Sequence, residues 1–584
     1  MSKDAEAALK RGDYFHAYDL ASSELKSHPD DLRLNHLALL ALARSCANRQ
    51  ARACLEDLKA RGLLDQPMEP RLAADLAAID AKLIKNVALE AEGEERRALA
   101  TRSAEGYEAA LAGADDYYPA INAATMWLVA GNLSRSAVMA RRALVVLDAL
   151  GGEDAADYWA LATRAEALLL LGQGEAAAAA LATAMEAAAT DPAAAAATRR
   201  QLRLICDISG MPWSELDRGG APIVLHYRGH GIGGAATAPD PSCEADVATA
   251  IGRFLDSRHV AAGFGSLADD AEILVAEALL ARDIDLHLIF PCDVASFRQA
   301  FVAERWWPRF DACAAAARQT VVSRGADLDD PLFRHAAMVG MGMALMRADF
   351  LATTAEHLAV WDRSPEEDAA ATVRDVDEWS RTGNPVTIIP SGRGRAGVAA
   401  KAGAIAPRRE LKALLFCDIK GFSTVAEPQM PAFIEHVLGG LAKEIAVFDH
   451  AIAYRETAGD GIYVVFDDVV AAADCGVALT RRMERLGSVP GLPPLALRVS
   501  AHVGVVLPAI DPVTGFRKFF GTEVIRAARI EPITPPGECY VTEELASHLQ
   551  LAAPDRFNCD YVGVLDSAKG FGAFRMYSLR RRMI

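Results

Sequence analysis

The sequence predicts a multidomain chain built in three parts: an all-α helical-repeat region, an α/β region, and an α+β region at the end. Three observations predict it. Ala and Leu dominate residues 1–215, in helical runs separated by turn signals. Short β-branched runs alternate with helix-like segments over 216–395. From 409 to 584, strand-like runs flank a Gly-Asp-Gly turn before the chain returns to helix. At 584 residues the chain exceeds what one hydrophobic core holds, and its length suggests about three or four domains.

Composition narrows the classes. Hydrophobic residues make up 52% and charged residues 24%, the balance of a folded chain. The formal net charge of −17 argues against broad nucleic-acid binding, which rewards clustered Lys and Arg; a nucleotide needs only a local positive site. The ten cysteines form no Cys-x-x-Cys pair, so neither a zinc knuckle nor a dithiol redox motif is legible. Such sparse use suits a reducing compartment. No apolar run reaches the roughly 20 residues that span a bilayer. The Ala-rich run over 176–198 is broken by Glu186, Thr190, Asp191 and Pro192. The first residues are charged and lack the apolar core of a signal peptide. The expectation is a cytoplasmic protein with neither nucleic acid nor membrane as a partner.

In residues 1–215, Leu37, Leu39, Leu40 and Leu42 recur at helical spacing. Arg11-Gly12-Asp13-Tyr14, followed by Ala17, Ala21 and Pro29, resembles a tetratricopeptide repeat. So does Leu171-Gly172-Gln173, followed by Ala176–Ala180 and Pro192. Tyr117-Tyr118-Pro119-Ala120-Ile121-Asn122 reads as a stretch between such helices. Helix pairs of this kind stack into a solenoid with a concave face, which serves either as a docking surface for a protein partner or as a plain scaffold.

Over 216–395, strands are expected at Ile223-Val224-Leu225, Leu286–Phe290, His357–Trp361 and Pro385–Ile389. Helix-like segments lie between them, so a parallel sheet covered on both faces is expected. Ala262-Gly263-Phe264-Gly265-Ser266 reads as a turn opening a helix near Ala268, where amides and the helix dipole suit a phosphate. Together with Leu288-Ile289-Phe290-Pro291 and Val360-Trp361-Asp362, this region resembles the Rossmannoid nucleotide-binding domains of the LOG and DprA type. Gly263, Gly265 and Ser266 are the candidate residues of a second nucleotide site; the alternative is an α/β module without a ligand. The Gly- and Arg-rich stretch that follows reads as a linker over 396–408.

The 409–584 region carries the chemistry. Lys412-Ala413-Leu414-Leu415-Phe416-Cys417 reads as a strand ending on Asp418, and helix is expected over 430–447. Ala453–Thr457 and Ile462–Phe466 read as a strand pair joined at Gly459-Asp460-Gly461, which places Asp460 at a turn. Two carboxylates at adjacent strand ends can share two divalent cations, which clamp a triphosphate, lower the pKa of a ribose hydroxyl and neutralise a leaving pyrophosphate.

These stretches resemble the catalytic domain of class III adenylate and guanylate cyclases. Phe416-Cys417-Asp418-Ile419-Lys420-Gly421-Phe422-Ser423 is similar to the family's first metal-binding motif, and Glu456-Thr457-Ala458-Gly459-Asp460-Gly461 to its second. Val499–Gly504 resembles the strand before the family's β-hairpin arm. Phe520–Val524 with Ala527-Ala528-Arg529-Ile530-Glu531 resembles the helix of its transition-state arginine. Pro536–Thr542 and Ala568–Phe571 resemble its closing strands. The resemblance runs in order over about 411–580.

It implies a ferredoxin-like α+β fold that converts ATP or GTP to the 3′,5′-cyclic monophosphate and pyrophosphate with two Mg2+ or Mn2+ ions. Asp418 and Asp460, with the carbonyl of Ile419, would hold the metals. Gly421 and Phe422 would line the substrate, Arg529 would stabilise the reacting phosphate, and Lys569 would contact phosphates. The family forms its site between two catalytic domains, so a homodimer is implied, with Asp418 and Asp460 from one chain and Arg529 from the other.

The sequence departs from the family at two points. Adenylate cyclases read the base with Lys and Asp, guanylate cyclases with Glu and Cys; here Glu456 and Lys518 match those positions. The pair satisfies a guanine edge directly and an adenine edge with roles exchanged, so the base stays open. The family's ribose-orienting Asn is Ile525, which cannot hydrogen-bond; the adjacent Arg526 points about 100° away around a helix. Two functions therefore stand: an active cyclase tuned by the preceding regions, and a nucleotide-binding regulatory protein with a weak or silent cyclase fold.

Overall fold

The computed structural model describes residues 2–45, 47–111, 116–150, 157–187, 192–217, 221–229, 232, 241–323, 328–361, 371–391 and 409–582. The linker expected over 396–408 and Asp362 lie outside the described residues.

The described residues between 2 and 217 form helices joined by turns, and consecutive helices from Ser2–Lys10 to Gly174–Ala187 pack on one another. Gly12, Gly131 and Gly172 each take a positive φ at a helix–helix turn, where a side chain would be strained. The stretch Tyr117–Asn122 does not lie between helices. It opens the helix Tyr117–Val129, whose N-cap Asp116 accepts a bond from the Tyr118 amide at 2.8 Å; Pro119 is tolerated because the first helical amides have no intrahelical acceptor. Among the described residues no helix is long and apolar enough to cross a membrane.

The middle region is a six-stranded sheet, with every neighbouring pair parallel. Its strands are β1 (Ile223–Gly229), β2 (Val260–Gly265), β3 (Asp285–Phe290), β4 (Arg318–Val321), β5 (Ala355–Val360) and β6 (Val386–Ile389), in the order β4-β3-β2-β1-β5-β6. The turn expected at 262–266 is mostly strand β2, and the following helix opens at Asp270. Gly263 and Gly265 make room for neighbours: a Cβ on Gly263 would lie 2.6 Å from Leu279, and one on Gly265 2.4 Å from the Tyr227 ring. Small residues in a fully covered strand mimic a turn in sequence.

The last region is an eight-stranded sheet. Its strands are β7 (Glu410–Lys420), β8 (Ile452–Ala458), β9 (Gly461–Phe466), β10 (Ala496–Ile510), β11 (Arg517–Phe520), β12 (Cys539–Thr542), β13 (Phe557–Asp566) and β14 (Ala573–Arg581). The order is β13-β14-β12-β10-β7-β9-β8, with β11 paired to β10 alone. Side chains of β7 alternate between faces. Leu415, Cys417 and Ile419 enter the main core beneath the helix Val469–Leu486, and Leu414 enters a second cluster with Val465, Val506 and Ala527. That alternation puts Asp418 on the face shared with Leu414 and Phe416.

The three regions interlock. Asp19 of the second helix accepts a bond from the Tyr561 hydroxyl on β13 at 2.5 Å. His335 on the helix Asp330–Phe350 meets His548 on the helix Glu543–Ala552 at 3.0 Å, and those helices pack so closely that a Cβ on Gly342 would strike the Ser547 carbonyl. Ser323, just past β4, donates to Glu523 at 3.0 Å, and Arg526 donates to the Val322 carbonyl at 3.2 Å.

Glu523 is a stability determinant. Burial raises its pKa, but bonds from His502 and Ser323 and the charge of Arg526 outweigh burial and hold it at about 2. A carboxyl lowered from its ordinary 4.5 contributes stability that is present above 4.5 and lost as pH falls through about 2. Glu523→Gln is expected to cost roughly 3 kcal/mol at neutral pH. Denaturant midpoints of the two proteins should differ at pH 7 and converge between pH 4.5 and 2; a gap independent of pH would refute the ionic account.

Candidate active site

The two predicted acids meet. Strands β8 and β9 are joined by Gly459 and Asp460 alone, and Gly459 takes φ +67, which a side chain would resist. The hairpin holds Asp460 beside Asp418 at the end of β7. Burial is the first cause that raises the Asp460 pKa, and the neighbouring Asp418 is the next to raise it. Ile419 is buried to 1% exposure in the core, so only its backbone faces the site. Gly421 has φ +96, and a Cβ there would strike the Pro494 carbonyl at 2.6 Å. Phe422 packs on Phe433 with ring centroids 5.0 Å apart, and lies under the Gly459 turn.

Two residues that sequence reasoning left out complete the cluster. Arg498 on β10 is directly opposite Asp418 in the antiparallel register, donates to its carboxylate, and lies 3.1 Å from Glu531. Burial, then Asp418, push Glu531 up to about 7. Three carboxyls thus surround one guanidinium, and acidic groups outnumber the single basic one. Its hard oxygen donors suit Mg2+ or Mn2+. Among the described residues no set of three or more His, Cys, Asp or Glu side chains has metal-holding geometry, so ligands beyond Asp418 and Asp460 would have to come from backbone or substrate. The residues fit a cation carried with a triphosphate better than a closed protein cage.

The two residues expected to read the base also meet. Lys518 on β11 donates to Glu456 on β8 at 2.9 Å, Tyr454 donates to the same carboxylate oxygen at 2.6 Å, and Asp511 lies 3.5 Å from Lys518. The Tyr454 bond is the largest cause lowering the Glu456 pKa, and the Glu456 bond is the largest raising that of Lys518. Alternation on β8 predicts that Tyr454 and Glu456 share a face; only the tertiary pairing adds Asp511.

Arg529 lies half-buried in the last turn of the helix Thr522–Ile530 and, among the described residues, makes no side-chain hydrogen bond or ion pair. Lys569 is exposed and sits in the left-handed region at φ 60, ψ 27. Ile525 is 48% exposed. Arg526 points inward to Glu544 at 2.6 Å and stacks over Phe574 at 4.4 Å, so it does not replace the missing Asn.

At the Gly263–Ser266 segment, the nearby amides are already taken. Glu272, fully buried, accepts from Ala268 at 2.7 Å and from Gly229 at 3.4 Å. Asp270 accepts from Ile232 at 2.7 Å and from Ala271 at 2.9 Å. The Ser266 carbonyl accepts from the Tyr227 hydroxyl at 3.1 Å. The chain's own carboxylates thus occupy the amides of Ala268 and Ala271, at the start of the helix that follows β2.

Residues 13–127 match the family model described as Tetratricopeptide Repeats-Sensor. No curated protein matches the chain. Solved structures similar to it are cyclase domains, over 30% of its length. The adenylyl cyclase CyaB from P. aeruginosa is 21% identical, with 98% of that chain covered and a TM-score of 0.27. The guanylate cyclase domain of RhGC from Catenaria anguillulae, in complex with GTP, is 18% identical, with 98% covered and a TM-score of 0.26. The non-canonical dimeric guanylyl cyclase domain of RhoGC from Blastocladiella emersonii is 17% identical, with 98% covered and a TM-score of 0.26.

Proposed function

We propose that residues 409–584 form a nucleotidyl cyclase that converts ATP or GTP to its 3′,5′-cyclic monophosphate and pyrophosphate. The observation that carries this reading is the convergence of Asp418 and Asp460, from two motifs of the class III pattern, in a cluster short of positive charge. The strand order β10-β7-β9-β8, all antiparallel, agrees with a ferredoxin-like core. Bound at the acid pair, two divalent cations would supply charge neutralisation on the triphosphate and a lowered pKa at the ribose hydroxyl. The chain's own side chains do the rest. Arg498 orients Asp418, Glu456 and Lys518 read the purine edge, and Arg529, unpaired among the described residues, is available to a phosphate.

The arm formed by β10 and β11 supports a homodimer: Ile510, Val513 and Phe516 at its end are 64%, 90% and 71% exposed. Apolar side chains left so open on one hairpin favour a partner surface. The repeats contact the cyclase region directly, which supports a regulatory role for them. A second reading, a weak or silent cyclase, is favoured by Ile525 together with the inward anchoring of Arg526.

The test is cyclic nucleotide formation by the full chain with ATP and GTP separately, under Mg2+ or Mn2+. No turnover on either nucleotide, with nucleotide still bound, would favour the silent reading. Mixing inactive Asp418→Ala with inactive Arg529→Ala is expected to restore part of the activity, because one of the two sites in a mixed dimer is then intact. No rescue between chains that demonstrably exchange would refute the shared site.

A further inference from the structure

A cavity of about 70 Å3, open to solvent on one side, lies where all three regions meet. Its walls come from Asp13 and Phe15 near the start of the chain, from the sheet face of β2 and β3, from the helix Asp330–Phe350, and from β14. It is separate from the acid pair and from the ends of the middle strands near Ser266.

Alternation assigns its chemistry. Ala262 and Phe264 on β2, and Asp285 and His287 on β3, are each two residues apart and share the facing side. The Phe264 and His287 rings stack with centroids 5.5 Å apart. Burial, then nearby arginines, push His287 down to about 3, so the imidazole is neutral. Two of the three lining arginines are anchored: Arg318 to Asp13 and, at 2.8 Å, to Asp285; Arg347 to the carbonyls of Gly12 and Arg11.

The third, Arg575 on β14, reaches Asp19 only at 3.5 Å and Glu543 only at 3.8 Å, longer than the 2.7–2.9 Å typical of a charge-assisted bond. Two residues along the same strand, Tyr577 is fully buried, lines the cavity, and its hydroxyl has no hydrogen-bond partner. A buried hydroxyl without a partner is costly. Burial raises the Glu543 pKa, while the Arg575 guanidinium acts to lower it across the 3.8 Å gap. The rings of Phe15 and Phe350, with centroids 4.7 Å apart, form an apolar wall.

We propose that this junction cavity is a binding site for a small anionic, ring-bearing molecule, whose anion is taken by Arg575 and the Tyr577 hydroxyl and whose ring lies against Phe15 and Phe350. Because repeats, middle sheet and last sheet all line it, occupancy would brace the three regions against one another. The site stands whether or not the acid pair is catalytic.

The test is calorimetric titration of the full chain with AMP, GMP, 3′,5′-cyclic AMP and 3′,5′-cyclic GMP in EDTA, which silences a metal-dependent site. At least one should bind with a Kd below about 100 μM. Tyr577→Phe should weaken that binding roughly tenfold while leaving the melting temperature of the ligand-free chain unchanged or higher, since the hydroxyl it removes is unpartnered. Ala262→Leu, which fills the cavity, should abolish binding. The proposal is overturned if none of the four binds below about 1 mM. It is equally overturned if Tyr577→Phe binds as wild type does, since the ligand then sits elsewhere; that comparison decides the matter even if Ala262→Leu fails to fold.

Discussion

Asp418→Ala and Asp460→Ala are each expected to abolish metal-dependent cyclisation, by at least about a thousandfold, while the chain stays folded. The effect is large because, in the proposed function, the two carboxyls would be the shared anchor for positive charge at the triphosphate, and phosphoryl chemistry depends on little besides position and charge. Folding should survive, since Asp460 occupies a turn and Arg498 keeps Glu531 at 3.1 Å when Asp418 is gone. Removing one member also relieves the repulsion that helps raise the other, so Asp418→Ala should bring the Asp460 pKa down. The measurement is turnover with Mg2+ and Mn2+ on ATP and GTP, with circular dichroism as the control for folding. Near wild-type turnover in either variant would remove the assignment.

Glu456→Lys with Lys518→Asp is expected to move preference towards ATP by roughly ten- to a hundredfold, the cost of one mispaired buried polar group at a base edge. In the native chain the carboxylate of Glu456 accepts from both Lys518 and Tyr454, so a base must compete with, or join, a network already satisfied. Glu456→Lys alone should harm both substrates, because it sets two ammonium groups together and leaves the Tyr454 hydroxyl without its acceptor. The measurement is kcat/KM for both nucleotides in the native chain and the two variants. An unchanged ratio in an active double variant would mean that these side chains do not face the base.

Much of the site was legible in the sequence because it depends on local geometry. The Gly-Asp-Gly hairpin tip is written in turn chemistry and survives as read, whereas the strand expected to end on Asp418 continues to Lys420 because β10 extends its pairing. Glu456 and Lys518, 62 residues apart, were matched by position in their motifs and do meet. The middle region was less legible. β2 was missed because buried parallel strands lack alternation and its glycines imitate a turn, and β4 because it has only four residues, largely polar and half-exposed.

What the sequence by itself determined is the order of helical, alternating and strand-rich stretches and the hairpin that carries one of the two acids, since each follows from chemistry within a few residues. The tertiary structure alone decided which groups surround those acids. Arg498 reaches Asp418 across 80 residues because β10 pairs antiparallel to β7 in one register, and a slip of one residue would turn it to the other face. Packing likewise commits the Arg526 guanidinium to Glu544, and Glu272 and Asp270 take the amides of Ala268 and Ile232 beside Ser266. The junction cavity joins Asp13 to Arg318 and Asp19 to Arg575, pairs hundreds of residues apart, because burial leaves each of those charges no cheaper partner than the one that docking supplies.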